Sequence, residues 1–393
     1  MSQGKKIKGQ NYSLRNHVDF FESGQLFFEK LEELIRSAQF EIHLQTYILS
    51  TDTTGQRILD ALTETAAKGV KIYVLIDAFG SQKLGSAVLR RLVASGIMIR
   101  KYGVFFSNGR FHIGRRLHQK IIVIDGFISI VGGINLSDNY NDTPLSKAWL
   151  DFAVVIRGEA SRRLQLVCRR YWVGYRNRQV TDKIPVIKLE NEGRFSRIRI
   201  RRNDFIFNMN EIALSYREGI RSAQKSLTIV GGYFLPGGKT RRLLKNAIKR
   251  GVQIKVLTAE KSDVKLMVYA RRYLYKWLIE NNIQLFSYDL SNVHGKIMIV
   301  DKSWTTIGSY DMNNLSTYSN IELNVDIDDQ NFSLLLSDHL NEILKTQCTE
   351  ITDEYRLIRK NYWMDLKSWL AYRIVKTFFF LSVTLAGKSG KEI

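Results

Sequence analysis

Cysteine, proline and histidine are all scarce in this chain of 393 residues: it has two, three and six of them. Cys168 and Cys348 cannot make a disulfide framework and lack the paired spacing of a metal site, which fits a reducing, cytosol-facing environment. Three prolines among 45% hydrophobic residues exclude a disordered chain. No run of about 20 apolar residues occurs, so no ordinary transmembrane helix is expected. Residues 1–6 carry no apolar stretch of the kind a secretory signal needs. Acidic residues are also short, with 38 Asp and Glu against 59 Lys and Arg, a formal net charge of +21. Such an excess implies a polyanionic partner, either nucleic acid or an anionic membrane surface, and charge alone does not choose between them.

What the chain does have is a repeated motif. Leu117-His118-Gln119-Lys120 runs through an apolar stretch to Asp125, and Gly132 follows after six further residues. Val293-His294-Gly295-Lys296 runs likewise to Asp301, with Gly308 at the same distance. Both copies read His-x-Lys-x4-Asp. The β-branched filling predicts a buried strand, and residues two apart on a strand face the same side. Each copy therefore presents one imidazole beside one ammonium. A lone His-x-Lys is a weak signal; two matched copies are a strong one.

The surrounding text repeats in the same order. Ile35-Arg36-Ser37-Ala38-Gln39 leads into a strand predicted over 42–47, and Ile220-Arg221-Ser222-Ala223-Gln224 into one over 227–230. A helix over 57–68, stopped by Gly69, precedes a strand over 70–76. A helix over 240–250, stopped by Gly251, precedes a strand over 252–257; glycine supplies the left-handed cap in both. Upstream, Val18, Phe20, Phe21, Leu26, Phe27, Phe28, Leu31, Leu34 and Ile35 read as one amphipathic helix. The first half carries an extra basic and aromatic stretch, 105–116, expected as a loop at the mouth of the site. Strands alternating with helices predict an α/β protein. Its halves would be residues 1–185 and 186–350, joined where Arg178, Asp182, Pro185 and Glu190 interrupt the apolar pattern, with a tail over 351–393.

The paired motif resembles the phospholipase D superfamily, and the flanking text resembles its bacterial cardiolipin synthase branch over about residues 18–327. The lipid-branch likeness lies in Ala67-Lys68-Gly69-Val70, Asp77 with Gly80-Ser81, Gly232-Tyr233-Phe234-Leu235-Pro236 and Lys261-Ser262-Asp263. The resemblance implies two duplicated α/β/α halves packed about a pseudo-two-fold axis, with both His-Lys pairs at one site. It implies a catalytic set of His118, Lys120, Asp125, His294, Lys296 and Asp301. One neutral imidazole attacks phosphorus to form a phosphohistidine, the other donates a proton to the leaving alkoxide, and the lysines neutralise the non-bridging oxygens. Asp151, in Trp149-Leu150-Asp151, and Glu322, in Asn320-Ile321-Glu322-Leu323-Asn324, match segments whose acids orient the histidines. Read by themselves, Asp125 and Asp301 brace a local turn rather than touch substrate. Gly133, Asn135, Ser309 and Asp311 are expected around the phosphate. Asp311 departs from the family pattern, which has Asn there; an anion beside a phosphodiester needs a proton or a partner. Lys296 is the expected partner, with Asn313 and Asn314 as sources of the missing amide. No cofactor and no metal are expected, and His112 with His118 is read as a solvent-facing pair.

The tail changes character over 356–393. Lys367, Arg373 and Lys376 interleave with Trp363, Leu366, Trp369, Leu370 and Tyr372, and Phe378-Phe379-Phe380 follow. This is the composition of an interfacial helix, too short an apolar stretch to span a bilayer and interrupted by Lys376. The expectation is a phosphatidyltransferase with phosphatidylglycerol or a related lipid as substrate and an anionic phospholipid membrane as partner. It would be peripheral, on the cytoplasmic face of a bacterial inner (plasma) membrane. Hydrolysis on the same scaffold is the alternative, and a superfamily nuclease a more distant one. The tail and the lipid-branch segments speak against nucleic acid.

Overall fold

The two repeats fold into two sheets of matching strand order. The computed structural model describes residues 12–389, apart from 104–105, 108–109, 112–114, 175–193, 260, 262–263, 314–319 and 355–361, and apart from the side chains of 104–114 and 378–389. The first half comprises β1 (Asn16–Glu22), α1 (Gln25–Arg36), β2 (Glu41–Thr46), α2 (Thr53–Ala67), β3 (Lys71–Asp77), α3 (Ser86–Ala94) and β4 (Met98–Tyr102). Three short strands follow, β5 (Phe106–Ser107), β6 (Arg110–Phe111) and β7 (Arg116–Leu117). The half closes with β8 (Lys120–Ile124), β9 (Ile128–Gly132), β10 (Phe152–Gly158) and α4 (Glu159–Val173). The second half comprises β11 (Arg197–Asp204), β12 (Met209–Asn210), α5 (Glu211–Ser222), β13 (Ser226–Gly231), α6 (Gly238–Lys249), β14 (Gln253–Ala259), α7 (Lys265–Glu280) and β15 (Ile283–Tyr288). It continues through β16 (Lys296–Val300), β17 (Trp304–Gly308), β18 (Asn320–Asp328), α8 (Gln330–Thr346) and β19 (Cys348–Glu350), and α9 (Tyr362–Ser389) is the last described element.

The first sheet runs β1-β10-β9-β8-β2-β3-β4. The second contains the same seven-strand order, β11-β18-β17-β16-β13-β14-β15, extended by β12 and β19 at its edges. Strands β2, β3 and β4 are parallel, as are β13, β14 and β15, because helices carry the chain back between them. Helix α2 begins at Asp52, whose side chain accepts from the Gly55 backbone N–H, and gives way to Gly69 at φ +88°. Gly251, at φ +87°, follows α6 in the same manner.

One element differs from its expectation. Val18 to Phe21 belong to strand β1, paired antiparallel with β10, and the helix starts only at Gln25. Gly24 at φ +125° separates the two, so an apolar pattern that looked continuous is a strand followed by a helix. The first segment is held by strand pairing across 130 residues of sequence, with Phe20 opposite Val154. Of the stretch 105–116, β5 pairs antiparallel with β6, Arg115 meets Asp204 and Arg116 donates to Gly103 O at 2.9 Å; His112 and the side chains of 104–114 lie outside the described residues. The expected join near 178–195 lies mostly outside them as well. Residues 12 and 13 pack on the second half, where Ser13 pairs with Ile198 and the Tyr12 hydroxyl accepts from Trp304.

Two outer cores fill the space between each sheet and its own helices, with Phe28, Leu31 and Leu59 in one and Ile220, Leu244 and Leu278 in the other. A third core is shared: Phe152, Val154 and Leu164 of the first half pack with Ile307, Leu323, Val325 and Leu340 of the second. Apolar burial between the halves makes them one body around the site.

Asp125 and Asp301, counted in the catalytic set, lie elsewhere. Each ends its His-Lys strand, roughly 16 Å of strand rise from the lysine, at a left-handed φ of 53° and 50°. Asp125 accepts from the backbone N–H groups of Gln39, Phe40 and Glu41 at 2.8–2.9 Å. Asp301 accepts from Gln224, Lys225 and Ser226 at 2.7–2.9 Å. They brace the Ser-Ala-Gln turns, which explains why that pentapeptide recurs. Asp125→Ala should lower stability by about 2–3 kcal/mol through the lost charged acceptor. Thermal melting would register the loss, while turnover per folded molecule should fall far less than for the histidine variants.

Candidate active site

Both His-Lys pairs lie at the seam between the halves, and backbone pairing across the seam places them. Strand β7, just before His118, pairs parallel with β18, and the His118 N–H donates to Ile321 O at 3.0 Å. Reciprocally, the N–H groups of His294 and Gly295 donate to Leu150 O. Each histidine is thus set beside the residue preceding the acid of the other half. His118 Nδ1 lies 2.9 Å from Glu322 Oε2, and His294 Nδ1 lies 2.6 Å from Asp151 Oδ2. Equivalent sequence offsets left the pairing open; the geometry crosses it.

The two imidazole rings have centroids 6.5 Å apart and an interplanar angle of 60°. That gap has room for one phosphoryl group between a nucleophile and a proton donor on opposite sides. Lys120 and Lys296 are buried, and their ammonium groups donate to the carbonyls of His118 and His294 respectively. Burial pushes Lys120 down to about 7, against the pull of Glu322. Asp151 is pushed up by burial to about 6, with Lys296 and the Phe152 N–H opposing. Glu322 goes the other way: burial raises it, but the charge and hydrogen bond of His118, with Lys120, hold it below its ordinary value.

The four residues expected to line the phosphate serve other purposes, or only part of that one. At Gly133 an added Cβ would collide with the Asp151 carboxylate, so the glycine makes space for the acid. Ser309, its counterpart, donates to Glu322 Oε2, and Asn320 donates to Glu322 Oε1 at 3.0 Å. Asn135 is corrected more sharply: its Oδ1 accepts from Ile48 N–H at 3.1 Å and its Nδ2 donates to the Tyr140 hydroxyl at 2.8 Å. Both atoms of its amide are tied into the loop. Asp311 Oδ2 lies 3.6 Å from Lys296 Nζ, the expected pairing. Asn313 Nδ2 reaches Tyr233 O, and Asn314 lies outside the described residues.

Aromatic side chains surround the histidines, and sequence reasoning gave Tyr47 and Tyr140 no place there. Tyr140 meets the His294 ring edge-on at 5.3 Å, Trp149 and Tyr233 stand at 6.3 and 6.5 Å from it, and Tyr47 lies 5.1 Å from His118. Nothing in the local spacing marks Tyr47 or Tyr140, whereas Trp149 and Tyr233 stand in segments that carry the family likeness.

Comparison with known proteins adds to this geometry. The sequence matches the family described as cardiolipin synthase, PLD-like domain, in two segments, 31–160 and 216–344. Cardiolipin synthase B of Escherichia coli (strain K12) is 30% identical over 380 residues, spanning 92% of this chain and 88% of that one. The chain belongs to the cardiolipin synthase branch of the phospholipase D superfamily. Within that branch, probable cardiolipin synthase YwiE of Bacillus subtilis is 30% identical over 84% of this chain and 67% of its own length. A crystal structure of phosphatidylserine synthase from Haemophilus influenzae Rd KW20 shares the fold, with a TM-score of 0.72 at 15% identity, covering 95% of this chain and 97% of that one. The doubled family match corresponds to the two sheets, and the duplicated α/β architecture expected from the repeat is the one observed.

Proposed function

We propose that this protein is a phosphatidyltransferase that joins two phospholipid head groups, with phosphatidylglycerol as donor and acceptor. The observation that carries the reading is the pair of cross-oriented histidines flanked by two buried lysines, in a chain 30% identical to cardiolipin synthase B over 92% of its length. One histidine attacks phosphorus; a P–N bond forms and the P–O bond to the leaving glycerol breaks. The other histidine gives its proton to that alkoxide. The hydroxyl of a second phosphatidylglycerol then attacks phosphorus and passes its proton to the second histidine; a new P–O bond forms, the P–N bond breaks and the first histidine is freed. The products are cardiolipin and glycerol.

The membrane partner is assigned to α9. Its inner side, Ala371 and Val375, packs on Leu235, Ala270 and Leu274, and Tyr372 stacks on Tyr273 at 4.7 Å. Its other side leaves Tyr362, Trp363, Leu366, Trp369, Leu370 and Ile374 exposed, Trp363 by 68%. Among the described residues no helix is long and apolar enough to cross a membrane. Aromatic side chains beside Lys367, Arg373 and Lys376 suit the surface of an anionic bilayer, here the cytoplasmic face of a bacterial plasma membrane. Because α9 also covers Leu235 and Leu274, simple deletion of the tail would disturb the fold. Outward substitutions are the better probe.

Purified protein incubated with phosphatidylglycerol vesicles should convert lipid to cardiolipin with release of glycerol. Phosphatidic acid as the main product would assign hydrolysis instead. In the same vesicles, Trp363→Ser with Trp369→Ser and Ile374→Ser should reduce pelleting with lipid by about tenfold or more. Undiminished pelleting would move the membrane contact off α9.

A further inference from the structure

Among the buried differences between the halves inside the site, one changes the charge. Asn135 and Asp311 stand at matching places, three residues after Gly132 and Gly308. The amide of Asn135 is satisfied on both its oxygen and its nitrogen. Asp311, 5% exposed, has Oδ2 at 3.6 Å from Lys296 Nζ, and its Oδ1 is buried with no hydrogen-bond partner. Among the described residues, the carboxylates of the site pair His118 with Glu322, His294 with Asp151 and Lys296 with Asp311. Lys120 has none; it donates to His118 O at 2.7 Å and stands 5.3 Å from the centre of the Tyr47 ring. One lysine thus has a carboxylate at ion-pair distance, and the other shares the more distant pull of Glu322 with His118.

We infer that Asp311 makes the phosphate site one-sided: it neutralises Lys296, and Lys120 is the cation that holds the non-bridging oxygens of the incoming phosphodiester. The inference rests on the reading of this seam as a phosphate site. An ionised carboxylate only accepts hydrogen bonds, so an oxyanion approaching Lys296 meets a neutral pair with a spare, repelling oxygen. An oxyanion approaching Lys120 meets an ammonium with no carboxylate at ion-pair distance among the described residues, in a buried setting where charge interactions are strong; the acid that acts on it most, Glu322, is already bonded to His118. Burial, with Glu322 adding to it, holds Asp311 above its ordinary value against the opposing pull of Lys296, His118 and Lys120, so whether the acid keeps its charge is what the test reads. Duplication alone would give two equivalent lysines, and the change from Asn135 to Asp311 breaks the equivalence in charge.

The test is binding of inorganic orthovanadate to the full chain by titration calorimetry, which needs no lipid turnover. Asp311→Asn should tighten vanadate by about tenfold, by freeing Lys296. Lys120→Met should weaken it more than Lys296→Met in the otherwise unmodified chain. In the Asp311→Asn background the two lysine changes should become about equally damaging. Asp311→Glu, which keeps the charge, should stay near the unmodified affinity, and circular dichroism confirms folding of each variant. Unchanged affinity in Asp311→Asn would mean that the acid carries its proton, and equal losses from the two lysine changes in the unmodified chain would mean a symmetric site. Either overturns the inference, and no vanadate binding by the unmodified chain would overturn the phosphate site with it. A chain that shows the expected vanadate pattern but makes no lipid product would leave this inference standing and remove the proposed transfer.

Discussion

Replacing either His118 or His294 by Asn is expected to cut turnover by at least about 10⁴-fold, and replacing both should be scarcely worse than replacing one. The reason is geometric. The rings stand 6.5 Å apart on opposite halves, and each supplies one side of a single displacement. Removing the nucleophile leaves nothing to accept phosphorus, and removing the proton donor leaves an alkoxide that cannot depart. Two independent sites would behave differently, since each single variant would keep about half the activity. Steady-state lipid turnover of the two single variants and the double variant separates the cases.

The second large effect concerns the acids. Asp151→Asn and Glu322→Gln should each lower turnover by about a hundred- to ten-thousandfold, because an amide permits the wrong imidazole tautomer and no longer stabilises the imidazolium. The crossing gives these variants a distinguishing signature. Asp151→Asn acts through His294, so it should add little to His294→Asn while still adding to Glu322→Gln. If instead Asp151 coupled to His118, the crossed geometry would be wrong. The acid also sets a pH limb. Asp151, raised by burial to about 6, is ionised above that pH and can accept from His294; as pH falls through about 6 it takes up a proton and turnover declines. Lys120, lowered by burial to about 7, carries its charge below that pH and loses it above, so kcat/KM should fall as pH rises through about 7. A bound phosphodiester favours the charged lysine, so the same limb in kcat should lie at higher pH. The Asp151→Asn profile should lack the acidic limb.

Much of this site was legible in the chain because its parts are local. His and Lys two apart on a β-branched run must share a face, and the run itself predicts the strand. The duplicated order of strands, helices and glycine stops translated into two sheets of one order. The parts that were not legible depend on contacts between distant residues. No local pattern says that Glu322 belongs to His118, which stands 204 residues away, or that Asp151 belongs to His294. Nor does it say that Gly133 is small for the sake of the Asp151 carboxylate. Val18 to Phe21 were misread because apolar residues before Gly24 merged with those of α1, and only pairing with β10 separates them. Asn135 looked like a phosphate ligand because its side chain suits that chemistry. Its actual partners, the Ile48 N–H and the Tyr140 hydroxyl, come from a loop and a turn whose approach the sequence does not specify.

The most direct measurement is the number and place of phosphatidyl groups on the chain during turnover. Protein mixed with phosphatidylglycerol vesicles, quenched within the first turnovers and mapped by mass spectrometry, should carry one phosphatidyl group per chain at most. The adduct should sit on a single histidine of the His118–His294 pair. It should vanish when lipid without a phosphodiester head group is supplied. Chains doubly modified at His118 and His294, or full turnover with no histidine adduct at any time, would contradict a single site built from both halves.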